Sequence, residues 1–468
     1  MKKEDLIKIN DYTWEIPKSY RHDMRVPARI FISEKMIGKL LEEEALEQVV
    51  NVATLPGIQK YSLAMPDIHW GYGFAVGGVA AVDAEHGVIS PGGIGFDINC
   101  GVRLLKTHVR YDEIKEKIPA LASALYKEVP SGVGRGGQMT LSEKELDEVL
   151  ERGAEKIVAD GYGTQHDLKH CESGGRLPEA DATKVSKTAK ARGRDQLGTI
   201  GAGNHFVEVD RVDEIYDEQT AKEFGLFKDQ IVILIHCGSR GLGHQIATDY
   251  IKRMLVAMPK YGITLPDRQL AACPFTSPEG QDYYKAMAAG ANFAWANRQR
   301  ITWEVRKAWE HAIGKGESLE LLYDVAHNIA KTEEYPSTSS GQVKKMVVHR
   351  KGATRAFPGQ PVIIPGSMGT HSFVMIGQKE SLEQSFGTTA HGAGRMMSRT
   401  QAKHEIRGAE LREQLEAEGI SVRAGSVAGL AEEAPEAYKD IEDVADVVHR
   451  TGIARKVVRL RPVAVMKG

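Results

Sequence analysis

A chain of 468 residues, of which 42% are hydrophobic and 26% charged, has the composition of a globular enzyme with a large buried core. The 61 Lys and Arg nearly balance the 63 Asp and Glu, so overall charge argues neither for nor against a nucleic-acid partner, and only local patches can do so. The sequence has no apolar signal segment and no apolar run of about 18 residues, which predicts a cytoplasmic protein with no membrane partner.

The cysteines lie far apart in the chain and form no CxxC pair. This spacing argues against a secreted disulfide framework and favours reduced thiols or metal ligands. They are Cys100, Cys171, Cys237 and Cys273.

Helical and turn-rich segments alternate in the first part of the chain. Apolar residues at helical spacing predict a surface helix over residues 34–51. Prolines and glycines then divide residues 61–82, which include His69, into short strands and turns. Residues 111–195 are predicted to be a largely helical excursion, interrupted by a glycine-rich loop at 131–138 that is only a weak phosphate-binding signal.

The segment PGGIGFDINCGVRLL, residues 91–105, places a carboxylate and a thiol three residues apart among glycines. Gly92, Gly93, Gly95 and Gly101 are expected to adopt positive φ and to allow close approach of other groups. For Cys100 alone, a tight loop with a buried structural thiol is an adequate interpretation. Histidines in similar glycine-rich settings elsewhere favour a metal site that includes Asp97 and Cys100.

The basic run KVSKTAKARGR, residues 184–194, carries five cationic side chains and no acid. It indicates either a solvated helix face or a contact with nucleic acid. A short strand is then predicted over residues 205–209. Residues 231–235 are a continuous run of mostly β-branched residues, which is typical of a strand that is buried on both faces of a sheet. That strand ends at His236 before a glycine loop and a helix, which is where α/β proteins place ligands.

The longest helical pattern extends from Gln281 to Lys331 and includes His327. Further strands are predicted at 346–348, 362–365, 372–376 and the C-terminus. We found no linker or internal repeat, so the sequence predicts one large domain over 1–468, of mixed α/β class, with mixed sheets around a central cleft and peripheral helices.

A second glycine-rich segment surrounds His391 and is predicted to lead directly into a helix. On that helix four cationic residues at intervals of four would share one face, and we call them the basic stripe. It comprises Arg395, Arg399, Lys403 and Arg407. An accessible imidazole beside helix N–H groups and guanidinium groups could attack phosphorus, or could bind phosphate without covalent chemistry.

Three histidines, a thiol and a carboxylate are a borderline-soft donor set that suits Zn, Mn, Fe or Co. These five ligands are more than one tetrahedral site needs, so a thiolate could bridge two ions. A two-metal site is consistent with phosphoryl transfer. Each histidine alone could equally be structural. The residues therefore indicate a metal-dependent enzyme acting on phosphates, with a two-metal phosphoesterase and a non-enzymatic RNA-binding accessory protein as alternatives.

Seven segments together resemble the RtcB family of RNA ligases, and they extend from about residue 61 to the end of the chain. They are PGGIGFDINCGVRLL, GTIGAGNHFVEV, IHCGSRGLGHQ, DVAHNIA, IPGSMGTHSFVM, AHGAGRMMSR and the terminal VMKG. The resemblance implies an enzyme that uses GTP and two Mn²⁺ ions to join RNA ends with a 2′,3′-cyclic phosphate or 3′-phosphate to ends with a 5′-hydroxyl, in tRNA splicing or RNA repair. Whether an archease-type activator is also a partner is left open.

The resemblance also implies residue roles. Asp97, Cys100 and His205 would hold one Mn²⁺, and Cys100, His236 and His327 the other, with His391 as the nucleophile that carries GMP. Arg240, Arg395 and Arg399 would contact phosphate or RNA. His371 has no implied role. The guanylate would be bound by Asn204, His205, Phe206, Val207, Glu208, His327, Asn328, Pro365, Gly366, Ser367, Met368, Ser372, His391, Gly392, Ala393, Gly394, Tyr438 and Lys467.

Overall fold

Strands and helices alternate along the chain in the computed structural model, which describes residues 1–132, 136–336 and 343–468. Residues 133–135, within the predicted glycine-rich loop 131–138, lie outside the described residues. The strands are β1 Ile7–Asn10, β2 Thr13–Ile16, β3 Ala28–Phe31, β4 Ile58–His69, β5 Val76–Asp83, β6 Val88–Ile89, β7 Gly101–Arg110, β8 Phe206–Ile215, β9 Gln230–Cys237, β10 Cys273–Pro274, β11 Glu320–Ala326, β12 Asn328–Pro336, β13 Val343–Lys351, β14 Ala353–Arg355, β15 Pro361–Ile364, β16 Ser372–Gly377, β17 Thr388–Ala390, β18 Ser421–Ala424 and β19 Ala454–Lys467. The α-helices are α1 Glu34–Leu41, α2 Ala45–Val52, α3 Tyr111–Ile114, α4 Ile118–Glu128, α5 Glu143–Arg152, α6 Ala154–Ala159, α7 Gln165–Lys169, α8 Lys187–Gly193, α9 Glu218–Phe224, α10 Arg240–Ala257, α11 Pro278–Ala312, α12 Glu380–Ser385, α13 Arg399–Glu405, α14 Gly408–Ala417, α15 Val427–Glu432 and α16 Ile441–Arg450.

Two large mixed sheets form the framework. The first has the strand order β1-β2-β3-β4-β5-β13-β12, in which only β3 and β4 are parallel among the described pairs. The second has the order β11-β7-β9-β8-β19-β16-β15, and β18 joins it parallel to β19. The predicted mixed α/β class is therefore confirmed.

The central strand β9 shows why the sequence forms these layers. Every residue of β9 is buried, as the continuous β-branched run predicts. Ile231, Ile233 and Ile235 pack with α4 and α11 on one face, and Val232 and Leu234 pack with β15 and β16 on the other. Burying one such side chain stabilises the fold by about 1.5–3 kcal/mol.

The predicted helix over Gln281 to Lys331 is wrong in its second half. Helix α11 begins at Pro278 and ends at Ala312, and β11 and β12 follow. Gly314 and Gly316 adopt positive φ and break the helix, after which β11 pairs with β7. His327 therefore lies between two strands of different sheets rather than on a helix.

The predicted helix over 34–51 is two helices, α1 and α2, separated at residues 42–44. Short helices with loops between them occupy the described part of residues 111–193. Among the residues that the structure describes, no helix is both long and apolar enough to cross a membrane.

Strand register brings four chain segments to one edge of the second sheet. Gly101 of β7 is paired with both Ala326 of β11 and Cys237 of β9. His236 of β9 is paired with Phe206 of β8. The residues immediately beside these positions therefore converge, although the four segments are spread over more than two hundred residues of sequence.

Candidate metal centre and nucleophile

The predicted metal ligands meet at this sheet edge in two sets that share one sulfur. Cys100, His236 and His327 form one set, and Asp97, Cys100 and His205 form the other, with the ligand atoms of each within 4.8 Å of one another. Cys100 Sγ lies 3.2 Å from His236 Nε2 and 3.4 Å from His205 Nε2.

Further contacts orient the ligands of both sets. His236 Nε2 and His327 Nε2 are 3.3 Å apart, and Asp97 Oδ2 lies 2.8 Å from His205 Nε2. His205 Nδ1 lies 2.9 Å from the carbonyl oxygen of Ile200, and Ser239 donates its backbone N–H to Asp97 at 2.9 Å. Such outer contacts direct the Nε2 lone pair of a histidine towards a metal.

The ligand environment sets protonation states that suit a cation. Burial and the neighbouring imidazoles hold the pKa of His236 and His327 far below the ordinary value, so both rings are neutral with a free lone pair. Burial alone would raise the pKa of Asp97, but His205 and hydrogen bonds lower it to about 2.

The shared thiol behaves differently. Burial and the Asp97 carboxylate raise the pKa of Cys100 to about 12, so without a neighbouring cation the sulfur keeps its proton. Metal binding at this position must therefore displace a proton. One thiol, three imidazoles and one carboxylate converging at this edge fit a pair of borderline-soft divalent cations.

His391 lies beside the Cys100–His236–His327 set and is held by a buried carboxylate. Its ring centroid is 4.9 Å from that of His327. Its Nδ1 is 2.6 Å from Asp67 Oδ2, and the same oxygen accepts the backbone N–H of His391 at 3.0 Å. Asp67 is fully buried. If Nδ1 carries the proton that the carboxylate accepts, Nε2 keeps its lone pair and can act as a nucleophile.

The expected helix behind His391 is displaced, and the predicted basic stripe is not continuous. The helix α13 begins only at Arg399, so His391 has no helix N-terminus beside it. Arg395 lies in a bridge with Tyr438, and Arg407 is outside α13. Because Gly392 and Gly394 interrupt the periodic pattern, the chain packs against Asp67 instead of continuing as a helix.

A cleft of about 290 Å³ joins His391 to four of the five predicted metal ligands, namely Asp97, Cys100, His236 and His327. Its walls include most of the residues predicted to bind guanylate or phosphate. These are Asn204, Phe206, His327, Asn328, Pro365, Gly366, Ser367, Met368, His391, Gly392, Ala393, Gly394, Arg395, Arg399, Tyr438 and Lys467.

Some predicted guanylate and phosphate residues do not line the cleft. Val207 points into the apolar cluster on the far face of its strand. Ser372 instead accepts the backbone N–H of Gly366 at 3.1 Å, and so supports the wall that Gly366 forms. Arg240 begins α10 and donates to Thr199 Oγ1 at 3.2 Å.

Glu208 is buried on the same face of β8 as Phe206. Burial and the adjacent carboxyl of Asp210 raise the pKa of Glu208 well above its ordinary value, while Lys467 opposes this shift. His371 lies outside the cleft, with Nδ1 3.0 Å from Glu442 Oε1.

Arg395 lines the cleft and is held in place by several partners. Its guanidinium donates to Tyr438 Oη at 2.9 Å, to Glu433 Oε1 at 3.3 Å and to the carbonyl of Glu432 at 2.8 Å. Burial alone would raise the pKa of Glu433, but Lys467 and the Tyr438 hydroxyl keep it below the ordinary value. This network holds one wall of the cleft.

Sequence reasoning missed three residues of this region, namely Asp67, Glu433 and Lys351. Asp67 lies in β4 and Lys351 ends β13, and no sequence spacing links either residue to His391 or Cys100. Lys351 lies on the cleft wall, and burial lowers its pKa to about 7. The local sequence signal for Asp67 was the segment PDIH, residues 66–69, which was predicted to lie among short strands and turns and in the structure belongs to the long strand β4.

The glycines around Cys100 serve mainly for close packing. Only Gly95 of the predicted four adopts positive φ, and Asn99 adopts it as well. A Cβ at Gly101 would lie 2.2 Å from the carbonyl oxygen of Val325, so a side chain there would push β11 away from β7. The expected close approach is therefore present, while positive φ at Gly92, Gly93 and Gly101 is wrong.

Asp67→Asn tests the orientation of the nucleophile. We expect attack by His391 on a phosphorus substrate to slow about 10²- to 10⁴-fold, because the amide cannot stabilise the ring cation that forms. Metal binding should not change, since Asp67 belongs to neither ligand set. The measurement is the rate of labelled adduct formation with GTP. Asp167→Asn, at a buried carboxylate paired with Arg306, should keep the wild-type rate, and equal loss in both variants would contradict the assignment.

Comparison with known proteins gives a consistent result over the full length. A family model described as tRNA-splicing ligase RtcB matches residues 48–468. A protein of Archaeoglobus fulgidus is 53% identical over 479 residues, covering 99% of each chain. Proteins of Methanococcus maripaludis and Thermococcus kodakarensis are each 52% identical, covering 100% and 99% of both chains respectively. All three relatives carry the name tRNA-splicing ligase RtcB.

Proposed function

We propose that this chain, which belongs to the RtcB family of tRNA-splicing ligases, joins RNA ends with a 2′,3′-cyclic phosphate or 3′-phosphate to RNA ends with a 5′-hydroxyl. GTP is the energy source, and His391 carries the guanylate between the nucleotide and the RNA. The names of the full-length relatives support an RNA substrate. The His391–Asp67 pair supports the covalent step.

The reaction has three steps in this proposal. His391 Nε2 attacks the α-phosphorus of GTP and forms a P–N bond, while the bond to pyrophosphate breaks. An oxygen of the RNA 3′-phosphate, formed first from the cyclic phosphate where needed, then attacks that phosphorus, and the P–N bond breaks. Finally the 5′-hydroxyl attacks the activated 3′-phosphate, GMP leaves, and a phosphodiester remains.

The residues of this chain supply orientation and protons for these steps. Asp67 keeps the Nδ1 proton of His391 in place, so Nε2 faces the cleft with a lone pair. Lys467 and the Pro365–Met368 turn line the same cleft and are placed to hold the nucleotide. Two divalent cations, Mn²⁺ by family resemblance, would be held by the two ligand sets and would neutralise charge on the phosphate oxygens.

The two metal sets alone would also fit a phosphoesterase with no covalent intermediate. The observation that favours guanylylation is the imidazole in the same cleft, with its Nδ1 held by a buried carboxylate. The deciding experiment incubates the protein with Mn²⁺ and GTP labelled at the α-phosphorus. An acid-labile protein–GMP adduct, followed by joining of cyclic-phosphate and 5′-hydroxyl RNA ends, is expected. Hydrolysis of phosphate esters with no adduct would establish the phosphoesterase, and purified protein that binds no metal would favour an accessory role.

The basic run 184–194 is a candidate RNA contact, and the structure narrows it to its exposed members. Lys184 and Lys190 are paired with Asp282 and Asp147 at 2.8 and 2.7 Å. Lys187 and Arg192 on α8, and Arg194 directly after it, are exposed, and α8 packs against α10. Exposed cations near the cleft are the ones that can neutralise backbone phosphates.

Reversing the charge of Lys187 and Arg192 together to glutamate should weaken RNA binding and reduce the salt-dependence slope by about 1.5–2. Guanylylation should proceed at the wild-type rate, because neither residue lines the cleft. The measurement is RNA affinity over a salt series. Lys315→Glu, at an exposed lysine outside this run, is the control, and an unchanged slope in the double variant would exclude α8 from the RNA-binding surface.

A further inference from the structure

The long helix α11 passes beneath the sheet edge that carries the metal ligands, and two adjacent buried residues on it contact the ligand-bearing segments. Asn297 and Arg298 are both fully buried. Neither belongs to a ligand set or lines the cleft. Buried polar side chains of this size are costly unless all their hydrogen bonds are made, so their partners indicate their role.

Arg298 uses all five of its N–H donors. Nη1 donates to the carbonyl oxygens of Asn99 and Cys237 at 2.7 and 2.9 Å. Nη2 donates to Asn99 Oδ1 at 3.1 Å, and Nη2 and Nε donate to the two carboxylate oxygens of Asp324 at 2.9 and 2.8 Å. Only a planar guanidinium can make this set of contacts.

The partners of Arg298 are the neighbours of one ligand set. Asn99 precedes Cys100, Cys237 follows His236, and Asp324 lies on the strand that leads to His327. Asn99 is held at a φ of 51°, a conformation that the guanidinium contacts stabilise. One side chain thus holds the backbone next to Cys100 and next to His236, and the carboxylate three residues before His327.

Asn297 makes the corresponding contacts towards the other set. Its Oδ1 accepts the backbone N–H groups of Gly198 and Thr199 at 2.7 and 3.2 Å. Its Nδ2 lies 3.1 Å from the carbonyl oxygens of both Thr199 and Gly238, and 3.3 Å from Cys237 Sγ. Thr199 precedes Ile200, whose carbonyl oxygen contacts His205, and Gly238 precedes Ser239, which donates to Asp97.

We propose that Arg298 and Asn297 are positioning residues that act mainly on different metal sites, Arg298 on the Cys100–His236–His327 set and Asn297 on the Asp97–Cys100–His205 set, with the shared Cys100 as the ligand common to both. Replacing a buried ion pair by hydrocarbon is often neutral or stabilising, so stability alone does not account for Arg298. This inference rests on the proposed binding of two Mn²⁺ ions. Outer contacts of metal ligands are typically worth 10- to 100-fold in metal affinity.

The test measures Mn²⁺ binding to the full-length protein by calorimetry and by electron paramagnetic resonance. Arg298→Lys keeps the charge but cannot make the five contacts. We expect it to weaken one of two Mn²⁺ sites about 10- to 100-fold, and Asn297→Ala to weaken the other by a similar factor. A His205→Ala background shows which site each substitution affects, because it removes a ligand of the Asp97–Cys100–His205 set. In that background Arg298→Lys should weaken Mn²⁺ binding at the remaining site, and Asn297→Ala should not.

Arg103→Lys is the matched control. Arg103 is equally buried and pairs with the same carboxylate, Asp324, at 2.8 Å, but it contacts neither Asn99 nor Cys237. It should leave both Mn²⁺ affinities within about threefold of wild type. Equal weakening in Arg103→Lys and Arg298→Lys, or no weakening in Arg298→Lys, would overturn the proposal.

If Arg298→Lys does not fold, Asn297→Ala decides: loss of one site supports the proposal, and two unchanged sites overturn it. Wild-type protein that binds fewer than two Mn²⁺ ions would instead contradict the proposed metal scheme.

Discussion

His391→Ala is expected to abolish the protein–GMP adduct while leaving both Mn²⁺ sites occupied. The imidazole is the group that would form the P–N bond, and its ring belongs to neither ligand set. Loss of a nucleophile lowers the rate by a factor on the order of 10³ or more, because no neighbouring group can replace it. The measurement is the yield of acid-labile labelled protein after incubation with GTP and Mn²⁺, with metal content determined on the same sample.

His371→Ala is the matched control for this prediction. His371 is partly exposed and contacts Glu442, and it lies outside the cleft. Its variant should form the adduct with wild-type yield. Full adduct yield in His391→Ala would move the nucleophile to another residue. Loss of both adduct and metal would mean that the imidazole supports the metal centre instead of attacking phosphorus.

Three of the five predicted ligands follow a local rule, whereas His327 was expected on a helix and lies between two strands. His236 comes at the end of a continuous buried strand, and Cys100 and His205 each precede a strand in a glycine-rich turn. Strand ends are where side chains can leave the sheet and face a shared site. The grouping of these ligands into two sets that share Cys100 still depended on the family resemblance, because no local spacing links residues 100, 236 and 327.

Contacts between distant segments could not be predicted in the same way. Asp67 meets His391 across more than three hundred residues, and Arg298 meets Asn99 across almost two hundred. A buried Asp or Arg inside an apolar pattern gives no periodic signal of its partner. The signal that was available is indirect: the apolar face of α11 is interrupted by Asn292, Asn297, Arg298 and Gln299, and a helix buries such residues only when it has partners for them.

Two of the errors in helix assignment involve glycines. After Ala312 glycines end a helix that the sequence pattern continues, and after His391 the helix begins only at Arg399, beyond Gly392 and Gly394. Tertiary pairing then decides the conformation: β11 joins β7, and the segment after His391 packs against Asp67. Local propensity is a weak prior where strand pairing or a buried contact is available.

Cys100→Ala is expected to weaken Mn²⁺ binding at both positions, although it removes a single sulfur. The thiol lies between His205 and His236, at 3.4 and 3.2 Å from their Nε2 atoms, and is common to both sets. Each set would keep only two donors, which is fewer than a divalent site needs. The Mn²⁺ affinity of each site should fall on the order of 10²-fold or more. Loss of an outer contact typically lowers metal affinity by about 10- to 100-fold, and loss of a ligand should cost at least as much. The measurement is Mn²⁺ stoichiometry by calorimetry.

Cys273→Ala provides the comparison, because Cys273 is equally buried in β10 and belongs to neither set. It should bind two Mn²⁺ ions as wild type does, which separates loss of a ligand from loss of a buried thiol. A Cys100→Ala protein that keeps one site at wild-type affinity would show that the sulfur serves a single ion. The two sets would then be independent sites that happen to be adjacent, and the shared-sulfur scheme would be wrong even if the enzyme still joined RNA.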